Sequence, residues 1–487
     1  MPSHPASSSE NRVSSGISGL DEILHGGFVA EQVYLIRGGP GTGKTTLGMH
    51  FLNAAKATDQ KTLFINLGET EKQIRWHALR SGIDLSDVAF LDLTPSPEFF
   101  AKAQSYNVFS PADVEREPTT QRIISEITAL HPGRIFLDAV SHLRYLSAQT
   151  FEFRRQIHSF LRFLVEQGST VLLTSEATEA EPDDDLQYMV DGIIELKNAD
   201  FRRTLTVTKF RGSDFRSGNH SMRLSGGGMK VFPRILPGES RHFVRETISS
   251  GVPEVDQLLH GGLERGTISI ISGPTGVGKT TLGIQFMKEA ASRGEQSVVY
   301  LFEEIIDTLL DRSESIGMPV NDMIERGTLK VVQIEPLIYT PDEFAQIVRD
   351  DVEKYNSKIV MIDSIAGYRL SLRGEDLIPH LHALSKYLQN MGVAVLLINE
   401  IDQITGDFRA TENGVSYIAD NLIFLRYIEL LGELRRAIGV LKKRLSGFEP
   451  FLREFRITSA GITVGEPLTH LRGILSGTPT WSKQDDE

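Results

Sequence analysis

The sequence predicts an α/β protein with two tandem domains, each a mostly parallel β-sheet flanked by helices. Two copies of the pattern G-x-x-x-x-G-K-[ST], at residues 38–46 and 273–281, mark phosphate-binding loops. An apolar strand precedes each loop and a helix-like run follows it, and strands then keep alternating with helices. Aligning Lys44 with Lys279 gives an offset of 235 residues (279 − 44), at which residues 14–51 match residues 249–286 without a gap. These observations indicate a duplicated domain.

The loops contain the residue types that bind the phosphates of a nucleotide. Glycines let successive backbone N–H groups converge on phosphate oxygens, the lysine reaches the outer phosphates, and the following hydroxyl ligates magnesium. The N-terminus of the next helix adds a favourable dipole. The expected nucleotide contacts are Gly41, Thr42, Gly43, Lys44, Thr45 and Thr46, and Gly276, Val277, Gly278, Lys279, Thr280 and Thr281. The sequence therefore predicts two bound nucleotides.

Composition excludes several classes of protein. A chain of 487 residues suits two or three domains, and 24% charged with 40% apolar residues is ordinary for a globular protein. The net charge of -13 argues against a surface built to neutralise nucleic acid. There is no cysteine, so disulfides and thiolate metal sites are excluded. Neither a signal peptide nor a membrane-length apolar run is evident, and we expect a cytoplasmic protein.

The chain order places acidic residues beside the loops. Strands are predicted at 32–36, 61–67, 134–137 and 169–174 in the first half, and at 267–271, 297–302, 358–362 and 393–398 in the second. Because ligands bind at the carboxyl ends of parallel strands, the residues that follow these strands face the same edge as the loops. Regions 205–232 and 437–464 alternate like antiparallel strands.

We place the domain boundary where Pro, Gly and charged residues cluster at 233–246. The expected segments are an N-terminal tail at 1–12, domains at 13–238 and 239–470, and a C-terminal tail at 471–487. The acidic run 179–185 is interpreted as a solvated loop rather than a metal site. Residues 465–487 are expected to be loosely held.

In each repeat, one aspartate ends the second strand after the phosphate loop. Asp138 and Asp363 occupy the position from which a carboxylate holds magnesium and its waters, although an aspartate there can also be only a helix cap. With Thr45, Thr280 and Glu303 they form the predicted metal ligands. We favour the functional interpretation because a phosphate loop lies upstream.

Carboxylates also follow the first strand after each loop. Glu303 and Glu304 stand there in the second repeat, and the first repeat has Gly68 and Glu69. Successive strand side chains point to opposite faces, so only one of an adjacent pair faces the γ-phosphate and polarises the attacking group. If that residue is the first of the pair, the first domain has lost it; if it is the second, both domains are competent. A plain surface turn is the alternative.

Paired cations occupy matching places in the late strands. Lys209 and Arg211, and Lys442 and Arg444, each share one strand face because residues i and i+2 do. A pair placed this way cannot easily reach its own phosphate loop, but in a ring it could reach the nucleotide of the neighbouring subunit. A solvated strand face is the alternative.

These motifs resemble those of the KaiC family, the two-domain RecA-like ATPases of the bacterial circadian clock and their relatives outside cyanobacteria. The resemblance rests on HGG before each first strand, GGPGTGKTT and GPTGVGKTT, FLDAVS and MIDSIA, and KFRGS and KKRLS, with further matches at 432–438 and 474–479. It covers about residues 12–480, in order and in both halves.

The resemblance implies two RecA-like P-loop NTPase domains in a double-ring homohexamer, with Mg²⁺-dependent ATP sites between subunits. The first ring would hydrolyse ATP and the second would phosphorylate its own chain. It assigns Glu69, with Arg211 and Lys209 from the neighbour, to the first site, and Glu303 and Glu304, with Arg436, Lys442 and Arg444 from the neighbour, to the second. The tandem phosphoacceptor of the family falls on Ser416 and Tyr417.

Three departures from the family pattern qualify these implications. Gly68 replaces the first carboxylate of the first domain, and Tyr417 replaces a threonine of the phosphoacceptor pair. The chain stops soon after Pro479, without the long tail to which the KaiA activator binds, so we expect no KaiA. A KaiB-like or other signalling protein is the expected partner, and the resemblance favours a non-cyanobacterial homologue acting in timing or stress signalling.

Two other functions compete with an autophosphorylating hexamer. One is an ATP-gated scaffold with little turnover. The other is a RecA-type DNA-binding ATPase, whose DNA-facing loop would be residues 402–416. In that loop Arg409 is the only basic residue, so we do not expect nucleic acid as a partner. A membrane is not expected either, because no apolar run is long enough to span one.

Overall fold

The structure is a computed structural model that describes residues 11–94, 111–141, 150–175, 183–199, 202–237, 241–372, 376–401, 415–476 and 480–481. The chain divides into two compact units, Met1–Arg234 and Ile235–Glu487. Each unit contains one nine-stranded sheet. The predicted DNA-facing loop, except for Val415 and Ser416, lies outside the described residues, as do residues 1–10 and 179–182.

The first unit has eleven strands and six α-helices within its described residues. The strands are β1 (Arg12–Val13), β2 (Phe28–Val29), β3 (Val33–Gly38), β4 (Thr62–Asn66), β5 (Ala89–Asp92), β6 (Arg134–Asp138), β7 (Thr170–Ser175), β8 (Gly192–Ala199), β9 (Arg202–Phe210), β10 (Asn219–Ser225) and β11 (Gly228–Phe232). The helices are α1 (Ser18–Ile23), α2 (Lys44–Asn53), α3 (Glu71–Arg80), α4 (Pro111–Leu130), α5 (Thr150–Glu166) and α6 (Asp184–Met189).

The main sheet of the first unit has the strand order β11-β10-β9-β8-β3-β7-β6-β4-β5. The six strands from β8 to β5 are parallel, and β9, β10 and β11 extend the sheet in antiparallel fashion. β3 lies at the centre of the sheet and leads into the phosphate loop. The loop therefore lies at the carboxyl edge of the parallel strands, where α/β proteins bind ligands.

The second unit repeats this plan. Its strands are β12 (Thr247–Ile248), β13 (Leu263–Glu264), β14 (Ile268–Gly273), β15 (Ser297–Leu301), β16 (Leu329–Gln333), β17 (Ile359–Asp363), β18 (Ala394–Glu400), β19 (Asn421–Leu430), β20 (Glu433–Lys443), β21 (Arg453–Thr458), β22 (Gly461–Pro467), β23 (Leu471–Arg472) and β24 (Thr480–Trp481). Its α-helices are α7 (Pro253–Leu258), α8 (Lys279–Ser292), α9 (Ile306–Ser315), α10 (Val320–Glu325), α11 (Pro341–Tyr355), α12 (Ile365–Ser371) and α13 (Leu377–Asn390).

The main sheet of the second unit has the order β16-β15-β17-β18-β14-β19-β20-β21-β22. β16 to β19 are parallel and β20 to β22 antiparallel, as in the first unit. The prediction of two α/β domains with mostly parallel sheets and flanking helices is confirmed. The described part of the chain contains no helix that is both long enough and apolar enough to cross a membrane.

Both faces of each sheet are buried, which explains the near-continuous apolar runs of the central strands. In β3, Tyr34 and Ile36 pack on the face that α2 covers, while Val33 and Leu35 pack on the other face with α5. β14 divides in the same way between two clusters. The sheets are therefore rigid platforms that hold the loops at their edge.

The structure corrects three expectations. The end of the acidic run is not a solvated loop: Asp183 is 1% exposed and Asp185 is 6% exposed, and Arg37 forms an ion pair of 2.6 Å with Asp183. Arg12, assigned to the N-terminal tail, lies in β1 and donates a hydrogen bond to the Gly27 carbonyl.

The third correction concerns the segment after residue 465, which was expected to be loosely held. Leu471 and Ile474 are buried against Ile428 and Leu430, and β23 pairs with β24. Apolar burial of these side chains holds the described part of the segment in place.

Candidate active site

Each phosphate loop turns from a central strand directly into a helix. Gly43 and Gly278 immediately precede α2 and α8, with left-handed φ angles of 103° and 111°. A β-carbon at Gly43 would lie 2.9 Å from a Met229 carbon, and one at Gly278 would lie 2.6 Å from an Ile457 carbon. Glycine is required at both positions for two reasons, the backbone conformation and the close packing.

The loop lysines are folded over their own loops. Lys44 Nζ donates hydrogen bonds to the carbonyl oxygens of Gly38 (2.7 Å) and Gly39 (3.0 Å), and Lys279 Nζ donates to that of Pro274 (2.9 Å). Burial lowers the pKa of Lys279, against the opposing effect of nearby carboxylates. An ammonium held in this way can redirect its protons to phosphate oxygens with little movement.

The remaining loop residues divide between packing and solvent. Thr42 Oγ1 donates to the Gly39 carbonyl at 2.9 Å, and the matching Val277 is buried in the core. Thr281 is buried and Thr46 is partly exposed.

A hydroxyl and a carboxylate meet beside each loop. Thr45 Oγ1 donates to Asp138 Oδ2, and Thr280 Oγ1 donates to Asp363 Oδ2, both at 2.6 Å. Burial raises the pKa of Asp363 to about 6, against the hydrogen bond from Thr280. One hydroxyl with one carboxylate is the small donor set that Mg²⁺ uses when substrate phosphates complete its shell. The residues therefore fit a Mg²⁺ ion that is also bound by nucleotide phosphates. Among the described residues there is no group of three or more acidic residues or histidines that could hold a metal ion by itself.

The two adjacent glutamates of the second unit have different partners. Ser364 Oγ donates to Glu303 Oε1 at 3.0 Å, next to Asp363. Glu304 instead accepts two hydrogen bonds from the guanidinium of Arg312, at 2.8 and 3.0 Å. The alternation of side chains at the strand end thus separates the pair.

The first unit keeps only one of these arrangements. Glu69 pairs with His77 at 3.2 Å, and these residues match Glu304 and Arg312 at the offset of 235. Gly68 replaces Glu303, and Ala139, which follows Asp138, replaces Ser364. Both members of the Ser364–Glu303 hydrogen bond are therefore missing together.

The paired cations lie towards the amino ends of the parallel strands, whereas the phosphate loop of the same unit lies at the carboxyl ends. Lys442 of β20 pairs with Leu422 of β19, which lies beside Ile270 of β14, four residues before the loop residue Pro274. At about 3.3 Å per residue, this is roughly 13 Å along the strand. In the first unit Lys209 pairs with Ile193, beside Leu35, and Arg211 forms an ion pair with Asp191 at 3.7 Å.

Arg436 does not lie with the other two predicted cations of the second unit, Lys442 and Arg444. Its guanidinium lies 5.8 Å from the ring centroid of Tyr427, and a β-carbon on Gly276 would lie 3.2 Å from the Tyr427 hydroxyl. Arg436 is thus near the phosphate loop of its own unit and away from Lys442 and Arg444.

Ser416 and Tyr417 contact the cations directly. They end a short 3-10 helix, Val415–Tyr417, in which Lys442 Nζ donates to the Ser416 carbonyl at 3.0 Å and Arg444 Nη2 donates to the Tyr417 carbonyl at 2.9 Å. The Tyr417 ring is half exposed and stacks on His382. The candidate phosphoacceptors therefore lie away from the phosphate loop of their own unit.

Sequence reasoning missed four residues at the carboxyl edge or beside it. These are Thr174, which donates to Asp138 Oδ1, Ser364, Arg312, and Glu400, which ends β18 and acts on the pKa of Lys279. Thr174, Ser364 and Glu400 end or follow a parallel strand, and that position was the signal that could have identified them.

Comparison with known proteins agrees with this architecture. The family model "ATPase: KaiC" matches residues 13–235 and 248–469. The chain is similar to proteins named circadian clock oscillator protein KaiC. It is 27% identical to that of Synechococcus elongatus over 97% of this chain and 92% of the relative, and 26% identical to that of Acaryochloris marina over 98% and 92%. It is also 26% identical to that of Thermosynechococcus vestitus over 100% and 95%. The matched segments cover both sheets and both phosphate loops, and the chain belongs to the KaiC family of ATP-binding proteins.

Proposed function

We propose that this protein hydrolyses ATP and transfers the γ-phosphoryl group of ATP in its second unit to Ser416 or Tyr417 of a neighbouring copy, within a homohexameric timing or stress-signalling assembly in the cytoplasm. One observation carries the proposal: Lys442 and Arg444 hold the Ser416–Tyr417 turn at the edge opposite the phosphate loop of the same unit. A chain cannot join its own loop to its own acceptor across its sheet. A second copy, as in a ring, can present one edge to the other.

Each residue then has a chemical task in the second site. The backbone of the loop and Lys279 bind the phosphates, and Thr280 with Asp363 would hold Mg²⁺, which supplies charge neutralisation and orientation when bound. Glu303 takes the proton of the acceptor hydroxyl as the new O–P bond forms and ADP leaves. Ser364 orients Glu303 through its hydrogen bond. Lys442 and Arg444 fix the acceptor turn and face the phosphoryl group that arrives from the neighbour.

A test by subunit mixing separates transfer between copies from transfer within one. Lys279→Ala removes nucleotide binding in the second site, and Ser416→Ala with Tyr417→Phe removes the acceptors. We expect neither variant alone to be phosphorylated in the second unit. After subunit exchange with Mg²⁺ and ATP, intact mass spectrometry should find phosphate on the Lys279→Ala chain. Phosphate on the Lys279→Ala chain before mixing would contradict the proposal, and so would none after mixing.

The residues of the nucleotide site in the first unit favour slower ATP hydrolysis than in the second unit. With Gly68 and Ala139 in place of the Ser364–Glu303 pair, Glu69 is the carboxylate left at the end of β4. This favours a first unit that turns over slowly and acts as a nucleotide-held platform. Steady-state ATP hydrolysis by Glu69→Gln, compared with the Glu303→Gln plus Glu304→Gln variant, apportions turnover between the two units. A Glu69→Gln variant with most of its hydrolysis lost would assign turnover to the first unit.

A further inference from the structure

A cavity of about 370 Å³ lies in the second unit, at the edge opposite the phosphate loop. It is lined by Arg241, His242, Phe243, Arg245, Gly266, Lys386, Gln389, Asn390, Asp420 and Leu445. Gly266 precedes β14 and Asn390 ends α13, so the cavity opens at the amino ends of the parallel strands. Its volume is that of a small-ligand site.

One wall of the cavity is a segment, residues 241–246, that is fixed to the sheet at three points. The Arg241 N–H donates to the Asn390 carbonyl at 2.9 Å, and the Arg265 N–H donates to the Glu246 carbonyl at 2.9 Å. Between them the Phe243 ring lies against two glycines, because a β-carbon on Gly266 or Gly392 would come within 2.4 or 2.6 Å of it. Hydrogen bonds and packing thus hold the backbone that carries the two arginines of this wall, whose side chains are exposed.

The charge of the described lining is positive. Arg241, Arg245 and Lys386 contribute three cations, and Asp420 contributes one carboxylate. Asp420 is already in use: Oδ2 accepts from the Ile268 N–H (3.0 Å) and Gln389 Nε2 (2.9 Å), and Oδ1 accepts from Arg444 at 3.4 Å. Both of its oxygens thus already have donors within the protein, and three cations against one carboxylate leave the lining with a net positive charge.

The duplicated first unit has glutamates at several of these positions. Val171 and Val395 pair with equivalent residues of the central strands, which sets an offset of 224 (395 − 171) for the helix before them. At that offset Lys386 matches Arg162, and Asn390 matches Glu166, which accepts a hydrogen bond from Arg162 at 2.8 Å.

At the offset of 235 the difference continues. Gly266 matches Glu31, and Arg245 matches Glu10 in the sequence. The second unit thus has a glycine, an amide and a cation where the first has glutamates, around a position that is a cation in both units. These differences make the second unit the more favourable of the two for an anion.

We propose that this cavity binds a phosphoryl group as a second anion site, separate from both phosphate loops. Lys386 and Arg245 supply charge-assisted hydrogen bonds from two walls, and the amides of Gln389 and Asn390 lie beside them. The phosphoryl group has two potential sources. One is a free phosphorylated small molecule.

The other source is the acceptor turn itself. A neighbouring cavity of about 270 Å³ is lined in part by Tyr417, His382 and Arg444, and it shares Lys386, Gln389 and Asp420 with the first. A phosphoryl group on Tyr417 would carry the same chemistry to Lys386, the cation that lines both cavities.

The test uses the full-length chain with both phosphate loops saturated by a non-hydrolysable ATP analogue and Mg²⁺, after intact mass has shown that it is unmodified. Inorganic phosphate is the probe, and ³¹P NMR line broadening measures its binding. We expect Lys386→Gln and Arg245→Gln each to weaken binding about tenfold to a hundredfold. Asn390→Glu should do the same without deleting a cation, because it recreates the Arg162–Glu166 pair.

The matched control is Arg326→Gln. Arg326 is an exposed cation beside β16, four strands away from β14 in the same sheet, and its removal should leave phosphate binding unchanged. Circular dichroism of each variant checks folding. Absence of binding to the wild type would overturn the proposal, as would equal binding by all variants.

The two sources are distinguished by pre-incubation with ATP. If the phosphoryl group comes from Tyr417, modified wild type stops binding inorganic phosphate while ATP-treated Tyr417→Phe still binds it. If modified wild type still binds, the ligand is a free molecule. Either result retains the site, and only the Tyr417 source rests on the phosphoryl transfer proposed above.

Discussion

Ser364 Oγ donates a 3.0 Å hydrogen bond to Glu303, and no such pair exists at the matching positions of the first unit, where Gly68 and Ala139 stand. The two replacements remove a carboxylate and the hydroxyl that orients it. The duplicated halves share the phosphate loop, the threonine–aspartate hydrogen bond beside it and the topology. They differ at the point where, in the proposed reaction, a proton would be accepted.

Restoring the pair in the first unit should raise its turnover. Gly68 is absent from the residues with left-handed φ, so glutamate is compatible with its backbone. In a background of Glu303→Gln plus Glu304→Gln, we expect Gly68→Glu with Ala139→Ser to increase steady-state ATP hydrolysis by at least about tenfold. The rate increases of the two single variants should together be smaller than that of the double variant, because the two side chains interact. Equal rates for the double variant and its parent would contradict a catalytic role for this carboxylate position.

Removing the Ser364 hydroxyl alone should slow phosphate incorporation in the second unit only mildly. Ser364→Ala leaves Glu303 in place but unoriented, and loss of one hydrogen bond of this kind should slow phosphate incorporation about five- to tenfold. Glu303→Gln should slow it about a hundredfold or more. Time-resolved intact mass spectrometry measures both. Ser292→Ala, an exposed serine at the end of α8, serves as the control, and an effect of Ser364→Ala no larger than this control would refute the positioning role.

A β-carbon at the turn into α8 should disrupt the second nucleotide site. Gly278→Ala must adopt a left-handed φ of 111° and contact Ile457, at a cost of about 1 to 3 kcal/mol. We expect lower thermal stability and loss of one of two nucleotide equivalents in calorimetric titration. Gly294→Ala is the matched control, because Gly294 also has a left-handed φ, of 75°, yet a β-carbon there meets no atom within 4 Å. That variant should lose about 1 kcal/mol and keep both nucleotides.

Acidification should destabilise the first unit through His50. His50 Nε2 accepts a hydrogen bond from the Met229 N–H at 2.9 Å, so the ring must be neutral, and burial lowers its pKa below the ordinary value of 6.5. The unfolded chain then takes up the proton first, and stability falls as pH drops below 6.5 and towards the lowered folded-state value.

The second unit supplies the control substitution for this effect, since Gln285 stands at the matching position. We expect His50→Gln to flatten the dependence of first-unit hydrogen exchange on pH between 7.5 and 5, after correction for intrinsic exchange. An unchanged slope would assign the acid sensitivity to another group.

Much of the architecture could be predicted locally. The loop pattern, the offset of 235 and the strand–helix alternation are short-range features, and the structure confirms the two sheets they imply. The pairing of Thr45 with Asp138 also followed from the rule that parallel strands end at one edge. The prediction that the acidic run is a solvated loop was wrong at Asp183, because it was made from the local sequence alone. Asp183 instead pairs with Arg37, which lies on a strand and is 146 residues away in the sequence.

The sequence by itself determined that the chain is duplicated, that each half builds a parallel sheet, and that a phosphate loop and an aspartate meet at its edge. These follow from residue types and spacings, which act through backbone conformation and apolar burial. Tertiary structure alone decided which glutamate faces Ser364, where the cations lie, and that the second unit encloses a positive cavity. Each depends on strand register and on contacts between distant segments, and the register of a pairing cannot be read from either segment alone.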